Sequence, residues 1–256
     1  MRYYVFESGS KGNCTLIEAN HHYLVIDCGI KSLKQAKQYF DETGVMLDQI
    51  KTVLVTHSHT DHIASLKIFP KDVIYASNVT LDVDEQHELI PYHEYDFDGF
   101  HVLVVPTSHD AKGSIGFVIT YDDEKMVYIT DTGYIYERVL PFLKGADYYI
   151  FEANHDVRMQ LNTGRPQCLI DRIMGPKGHL SNEDSALYLS ELITSKTKEV
   201  TLAHLSEEAD TPELALSAFN KIMHKRNVDI SNINVRCASQ HQKLEGGNIA
   251  KEIING

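Results

Sequence analysis

Short apolar runs separated by turn residues dominate the chain, and runs of that length that alternate or stay apolar predict β-strands. They fall at residues 3–7, 15–18, 23–27, 52–56, 73–77, 101–106, 116–121, 125–130, 147–152, 199–203 and 232–238. Asp122-Asp123 lies between two of them and predicts a hairpin. Helical signals are fewer. Ser32 is placed to cap a helix over 33–43, with Gly44 as its stop signal. Ser181, with Asp184 three residues on, opens a second helix running to about residue 194 as a variant capping box. Thr211-Pro212 opens a third, after which Ala215, Ala218, Phe219, Ile222 and Met223 share one face of a 3.6-residue repeat. Many strands interspersed with a few helices predict one α+β domain over residues 1–256, its helices covering sheet faces.

Composition narrows this picture. The chain has 256 residues, enough to bury a core without disulfides, and its 43% hydrophobic and 23% charged residues exclude disorder or a coiled coil as a global description. Cys14, Cys28, Cys168 and Cys237 show no CxxC spacing, which argues against a zinc ribbon or redox dithiol and predicts free thiols. No apolar leader and no run of about 18 apolar residues is present, so the expectation is a cytoplasmic protein without a membrane span. A net charge of −12 means that any nucleic-acid binding needs a local basic patch. Lys31, Lys34 and Lys37, then Lys221, Lys225 and Arg226, and also Lys177 are the available clusters, although such runs are more often solvated helix faces.

The candidate chemistry begins directly after the 52–56 run, in His57-Ser58-His59-Thr60-Asp61-His62. Four metal-competent side chains in so short a stretch cannot all be core, because buried imidazoles and carboxylates need partners. A loop folded around a divalent cation supplies them. His109, Asp131 and His204 each follow a predicted strand, and strand ends on one rim of a sheet pair can converge on a shared metal centre.

The HxHxDH pattern of residues 57–62 resembles the signature of the metallo-β-lactamase fold superfamily, with His109, Asp131 and His204 in the order of its later ligand motifs. The resemblance implies a four-layer αββα sandwich with metals at one edge of two packed sheets. It implies that His57, His59 and His109 hold one metal, that Asp61, His62 and His204 hold the other, and that Asp131 bridges them. Asp27, in Asp27-Cys28-Gly29, matches an early aspartate motif that supports the ligand loop. Ser8-Gly9-Ser10-Lys11-Gly12-Asn13, Phe151-Glu152-Ala153-Asn154-His155-Asp156, Gly178-His179-Leu180-Ser181-Asn182 and Ala203-His204-Leu205-Ser206 resemble a narrower group, the WalJ/YycJ/VicX proteins. That likeness implies a cytoplasmic, metal-dependent 5′→3′ exonuclease on DNA with two divalent ions per chain, of zinc, manganese or iron.

Two such ions can turn a bridging water into hydroxide and clamp a phosphodiester for attack, with Asp61 among the anionic neighbours. His179, ahead of the helix that Ser181 caps, is the candidate acid for the leaving oxygen; phosphodiesterases of the superfamily are similar in placing a histidine before the last ligand. Glu152, Asn154 and His155 follow a strand onto the same rim and are candidates to orient His179 or bind phosphate. Ser8, Ser10 and Asn13 lie in a Gly-containing loop whose backbone amides are candidates to meet phosphate oxygens. A small-molecule hydrolase of phosphodiester, thioester or lactone uses the same ligands, and fold does not separate the two. A di-iron redox protein is disfavoured, since His59 stands where that branch resembles HxExDH. A non-catalytic module is expected to have lost ligands, and all seven are present.

Overall fold

The computed structural model describes residues 1–248. Thirteen strands form two mixed sheets among the described residues. The first has six strands in the order β13 (Leu244–Gly247), β1 (Arg2–Glu7), β2 (Cys14–Ala19), β3 (His22–Ile26), β4 (Thr52–Leu54) and β5 (Ile74–Tyr75). The second has seven, in the order β12 (Asn234–Cys237), β11 (Glu199–Ala203), β10 (Tyr148–Glu152), β9 (Glu124–Ile129), β8 (Ile115–Tyr121), β7 (Phe100–Pro106) and β6 (Glu94–Phe97).

The period-2 pattern explains why the sheets are packed on both faces. In β1, Tyr3 and Val5 join the core between the sheets, while Tyr4 and Phe6 join the layer under helix α1 (Leu33–Thr43). In β10, Tyr148 and Ile150 face the intersheet core, and Tyr149 and Phe151 face the opposite layer, shared with helices α6 (Asn182–Leu192) and α7 (Pro212–Lys225). Each fully buried side chain of this size contributes roughly 1.5–3 kcal/mol, so both faces carry weight. Four layers, helix, sheet, sheet and helix, follow directly.

Helix ends obey the local signals. Ser32 Oγ accepts from Gln35 N, and Gly44 closes α1 at φ +75°, where a side chain would be strained. Ser181 Oγ and Thr211 Oγ1 likewise cap α6 and α7. Four shorter helices complete the set: α2 (Thr60–Ile63), α3 (Leu140–Leu143), α4 (Val157–Leu161) and α5 (Gln167–Ile173). Among the described residues no helix is long and apolar enough to cross a membrane.

The differences from the sequence expectation lie at the sheet edges. The 73–77 run contributes only the two residues of β5, after a 3-10 turn at Lys71–Val73. The run expected over 232–238 is trimmed to β12, and β6 and β13 had no clear signal. All four are edge or near-edge strands, where one side needs no partner and polar or glycine residues are tolerated. The described cysteines are unpaired, as expected.

Strand direction positions the site. β3 and β4 are parallel, as are β9, β10 and β11; β7 is antiparallel to β8 and β8 to β9, so β7 runs with β9. The carboxyl ends of these strands therefore open on one rim, the usual place for a site in such sheets.

Candidate metal centre

His57 leaves the end of β4, and one turn of helix, α2, then carries Asp61 and His62. Gly29 makes this possible: its backbone runs so close to α2 that a Cβ there would lie 1.6 Å from the Asp61 carbonyl oxygen. Cys28 N donates to His62 O at 2.8 Å and Asn13 N to Asp61 O at 2.8 Å, stitching the helix to the first sheet. Asp27 Oδ2 accepts from His62 Nδ1 at 2.7 Å and from Thr56 Oγ1 at 2.8 Å, and Oδ1 accepts from Thr56 N. The carboxylate thus fixes the His62 tautomer and leaves Nε2 aimed at the rim.

The second sheet supplies single residues. Asp131 follows β9 and His204 follows β11, with φ of +56° and +59°; Asp27, past β3, has +58°. Left-handed backbone costs about 1 kcal/mol or more for a residue with a Cβ, and here it turns each side chain sharply off its strand toward the rim. Ser8 Oγ accepts from His204 N at 2.8 Å, and Asn154 Nδ2 donates to His204 O at 2.8 Å. His109 Nδ1 donates to Gly178 O at 3.1 Å.

Glu152 ties this half together. Its carboxylate accepts from Asp131 N at 3.2 Å, Thr132 N at 3.0 Å, Leu180 N at 3.1 Å and His179 Nδ1 at 2.8 Å. Burial pushes its carboxyl up, but the charge and hydrogen bond of His179 together with a hydrogen bond from His204 outweigh this and hold it at about 2, so it is ionised.

Ligand-capable atoms of His57, His59 and His109 lie within 4.8 Å of one another, and so do those of Asp61, His62 and His204. Asp131 stands between the two groups: Oδ2 is 3.3 Å from His62 Nε2, and Oδ1 is 3.4 Å from His204 Nε2 and 3.8 Å from His109 Nε2. A cation fits this donor set. His57 Nε2, His204 Nε2 and Asp131 Oδ2 are all buried without a hydrogen-bond partner. Each such atom costs about 1–3 kcal/mol, a penalty a bound ion removes. Burial and neighbouring His62 also hold the His57 imidazole well below its usual range, in the neutral form that binds metal. Asp131 is pushed up by burial but held well below the usual carboxylate range by His204, His62, His57 and His109.

A family described as the beta-lactamase superfamily domain matches residues 22–204, from β3 through His204. The chain belongs to the β-lactamase superfamily. It is a metal-dependent hydrolase of that superfamily. Exodeoxyribonuclease YycJ of Bacillus anthracis is 30% identical over 244 residues, covering 90% of this chain and 92% of that protein. Exodeoxyribonuclease WalJ of Streptococcus pneumoniae is 30% identical over 229 residues, covering 84% and 85%. Among solved structures, the metallo-β-lactamase fold protein YhfI from Bacillus subtilis superimposes with a TM-score of 0.71 at 17% identity, over 96% of this chain and 99% of that one. That likeness carries the fold, and it agrees with the αββα layering.

Within this superfamily fold, most of the sequence-predicted residues reach the rim, with different fates. His57, His59, Asp61, His62, His109, Asp131 and His204 gather as described, and Asp27, Glu152 and Asn154 contact them from behind. His155 does not join the donor groups; it is buried, held at about 4 by burial, and its carbonyl accepts from Asn182 N, which pins the segment bearing His179. The Ser8–Asn13 loop corrects an expectation. The amides of Ser8, Gly9, Lys11, Gly12 and Asn13 all donate inside the protein, to Ser239 O, Asn13 Oδ1, Gln240 Oε1, Gly9 O and Asp61 O, so they form no phosphate cradle. Ser10 is exposed, whereas Ser8 braces His204 and Asn13 Nδ2 lies 3.0 Å from His62 Nε2, on the donor side of that ring.

Asp110 and Arg172 escaped the sequence reading. Asp110 Oδ1 is 3.4 Å from both His59 Nε2 and His109 Nε2, and its Oδ2 accepts from Arg172 Nε at 2.6 Å. A cavity of about 170 Å³ beside them is lined by His109, Asp110, Arg172, Lys177 and His179 among others. The adjacency of Asp110 to His109 was the one available signal; Arg172 had none.

Proposed function

We propose that this chain is a nuclease with two divalent cations, cutting DNA from the 5′ end as an exonuclease, in line with the names of its YycJ and WalJ relatives. The observation that carries the reading is the pair of donor triads on either side of Asp131, with the Glu152–His179 pair at their edge. His57, His59 and His109 would hold one ion, and Asp61, His62 and His204 the other, with Asp131 shared; zinc, manganese and iron all suit this mix of imidazole and carboxylate. Bound there, the ions would activate water and neutralise charge on the phosphate oxygens.

The protein's own groups do the rest. Glu152 is a positioning residue: three backbone amides and His179 already occupy its oxygens, which leaves it unsuited to be a ligand. It holds His179 by Nδ1, so Nε2 is free to deliver a proton to the leaving oxygen. Arg172 and Lys177 line the adjacent cavity and favour a neighbouring phosphate in a chain that is otherwise acidic. Asp110, held by Arg172, places a carboxylate oxygen 3.4 Å from both His59 Nε2 and His109 Nε2.

The test is to purify the protein, measure bound zinc, manganese and iron, and assay end-labelled single- and double-stranded DNA, RNA and bis(p-nitrophenyl) phosphate. Release of mononucleotides from the 5′ end of DNA supports the reading. Cleavage of the small diester alone makes the protein a small-molecule phosphodiesterase. No hydrolysis of any diester with the ions bound overturns the nuclease reading.

A further inference from the structure

Beside the centre, exposed aromatic rings form a line that neither the core nor the chemistry uses. Tyr134, three residues past Asp131, is 36% exposed, and its ring centroid is 4.9 Å from that of Tyr136 at an interplanar angle of 65°. The Arg138 guanidinium lies 5.7 Å from the Tyr136 ring centroid and 5.0 Å from that of Tyr92. Tyr92 is itself 6.4 Å from Phe142, centroid to centroid, and these two are 36% and 41% exposed. Three separate stretches of chain thus build one surface track. Tyr136 packs partly on the outer core, whereas Tyr134, Tyr92 and Phe142 belong to no core cluster.

The track is anchored to elements that end in the centre. Gly133 N donates to Ser108 O at 2.8 Å, and Thr132 Oγ1 donates to Tyr134 O at 2.7 Å. A Cβ on Gly133 would lie 2.5 Å from the Gly175 carbonyl oxygen, so the ring-bearing turn is pressed on the loop leading to His179. Tyr92 N donates to Val104 O on β7, the strand that continues to His109. Tyr92 also has φ +67°, a conformation unusual for a bulky residue.

We infer that this track binds unpaired nucleobases by stacking, and that the substrate enters the centre as a single strand. The inference rests on the nuclease reading. At a net charge of −12 the protein gains little from phosphate neutralisation away from the centre and the Arg172–Lys177 cavity, and Glu137 adds an acid beside Arg138. Affinity along the track must then come from a contact that does not depend on charge. Base–aromatic stacking is such a contact, changing affinity roughly 5- to 150-fold per base, and Arg138 adds a cation at ring level. Within a duplex the base faces are already stacked and only their edges are offered, so a row of exposed rings meets successive base faces only on an unpaired strand.

The experiment measures fluorescence anisotropy of a labelled, cleavage-resistant phosphorothioate oligothymidine and of a matched duplex on the full chain with metal bound. The double variant Tyr92→Ala/Phe142→Ala should weaken single-strand binding by roughly 10- to 100-fold and duplex binding by about twofold or less. Tyr92→Trp should retain binding, and circular dichroism checks that each variant is folded. Wild-type single-strand affinity should fall only shallowly with salt. Unchanged single-strand affinity in the double variant, or an equal loss on duplex and single strand, overturns the inference. Turnover of bis(p-nitrophenyl) phosphate by the wild type separates the two readings. Turnover without ring-dependent strand binding removes the track and leaves the phosphodiester chemistry standing; binding without any turnover removes the nuclease reading alone.

Discussion

The first sheet delivers His57, His59, Asp61 and His62 from one stretch of chain at the end of β4, whereas the second delivers His109, Asp131, Glu152, His179 and His204 from separate connections. The first half is held by local means: one helical turn, the close approach at Gly29, and the Asp27 carboxylate on His62. The second half is held by cross-links between connections, and Glu152 alone reaches two of them, at Asp131–Thr132 and at His179–Leu180. A centre assembled in this way should tolerate damage unequally. A change in the local half removes one donor; a change at the hub of the dispersed half moves several.

The most damaging single change should be at the residue that stands between the two donor triads. Asp131→Ala removes the carboxylate between the donor triads and should empty both metal positions, with activity falling on the order of 10⁴-fold, the scale at which sites that act as a unit fail. Metal analysis by mass spectrometry checks it; a variant that still carries two ions removes Asp131 from its bridging place.

His179→Ala should come next, losing roughly 10²–10⁴-fold on unactivated diesters while keeping its metal, the usual worth of a general acid. The loss should shrink with a p-nitrophenolate leaving group, which needs little protonation. Glu152→Gln should reproduce much of this loss, and the double variant should be scarcely worse than His179→Ala, because the two act through one proton path. Additive losses would show that Glu152 supports the rim independently of His179.

Asp27→Asn probes the local half. It keeps the shape but loses the charge on His62, whose imidazole burial pushes down while Asp131 and Asp27 raise it above its ordinary value. Metal affinity should drop roughly 10–100-fold, as for other residues that orient a ligand histidine. Competition with a coloured chelator reads this, and a drop equal to that of Asp131→Ala would erase the contrast between the halves.

The smallest effect lies away from the centre, in the helical layer of the second half. Burial raises the Asp210 carboxyl from 3.8 to about 7, beside Asn182 Nδ2 at 2.8 Å. The folded state therefore holds a proton that the unfolded chain releases near pH 4. Stability is largest below that pH and declines as pH rises through about 7. Asp210→Asn should flatten this decline, raising stability at pH 8 by on the order of 1 kcal/mol relative to pH 5 after solvent screening. Thermal melts at the two pH values check it; a parallel decline in both proteins would place the dependence elsewhere.

Legibility follows the same division as the site. The HxHxDH stretch could be read because its donors are neighbours in sequence, and the caps at Ser32, Ser181 and Thr211 because a cap bonds only three residues away. Long strands buried on both faces, such as β1 and β10, announced themselves by unbroken apolar runs, whereas β6 and β13 did not, since edge strands can be short and polar. Asp110 and Arg172 were not legible. Their meaning arises from an ion pair across sixty-two positions in sequence, which no local pattern encodes. The phosphate cradle expected at Ser8–Asn13 failed because a Gly/Ser loop signals available amides, while tertiary partners decide whether they are already taken.

The amino-acid sequence by itself therefore determined the strand-rich α+β composition, the starts of α1, α6 and α7 and the local half of the centre, because each depends on interactions within a few residues; the short helices α2 to α5 carried no such signal. Tertiary structure decided the rest. It aligned the carboxyl ends of β3, β4, β7, β9, β10 and β11 on one rim, turned Asp27, Asp131 and His204 through left-handed backbone, and put Glu152 at the meeting of two connections. Those arrangements require strands far apart in the chain to pair in one order and direction. The free energy that enforces the order comes from the packed cores on both faces of each sheet, not from the residues that line the site.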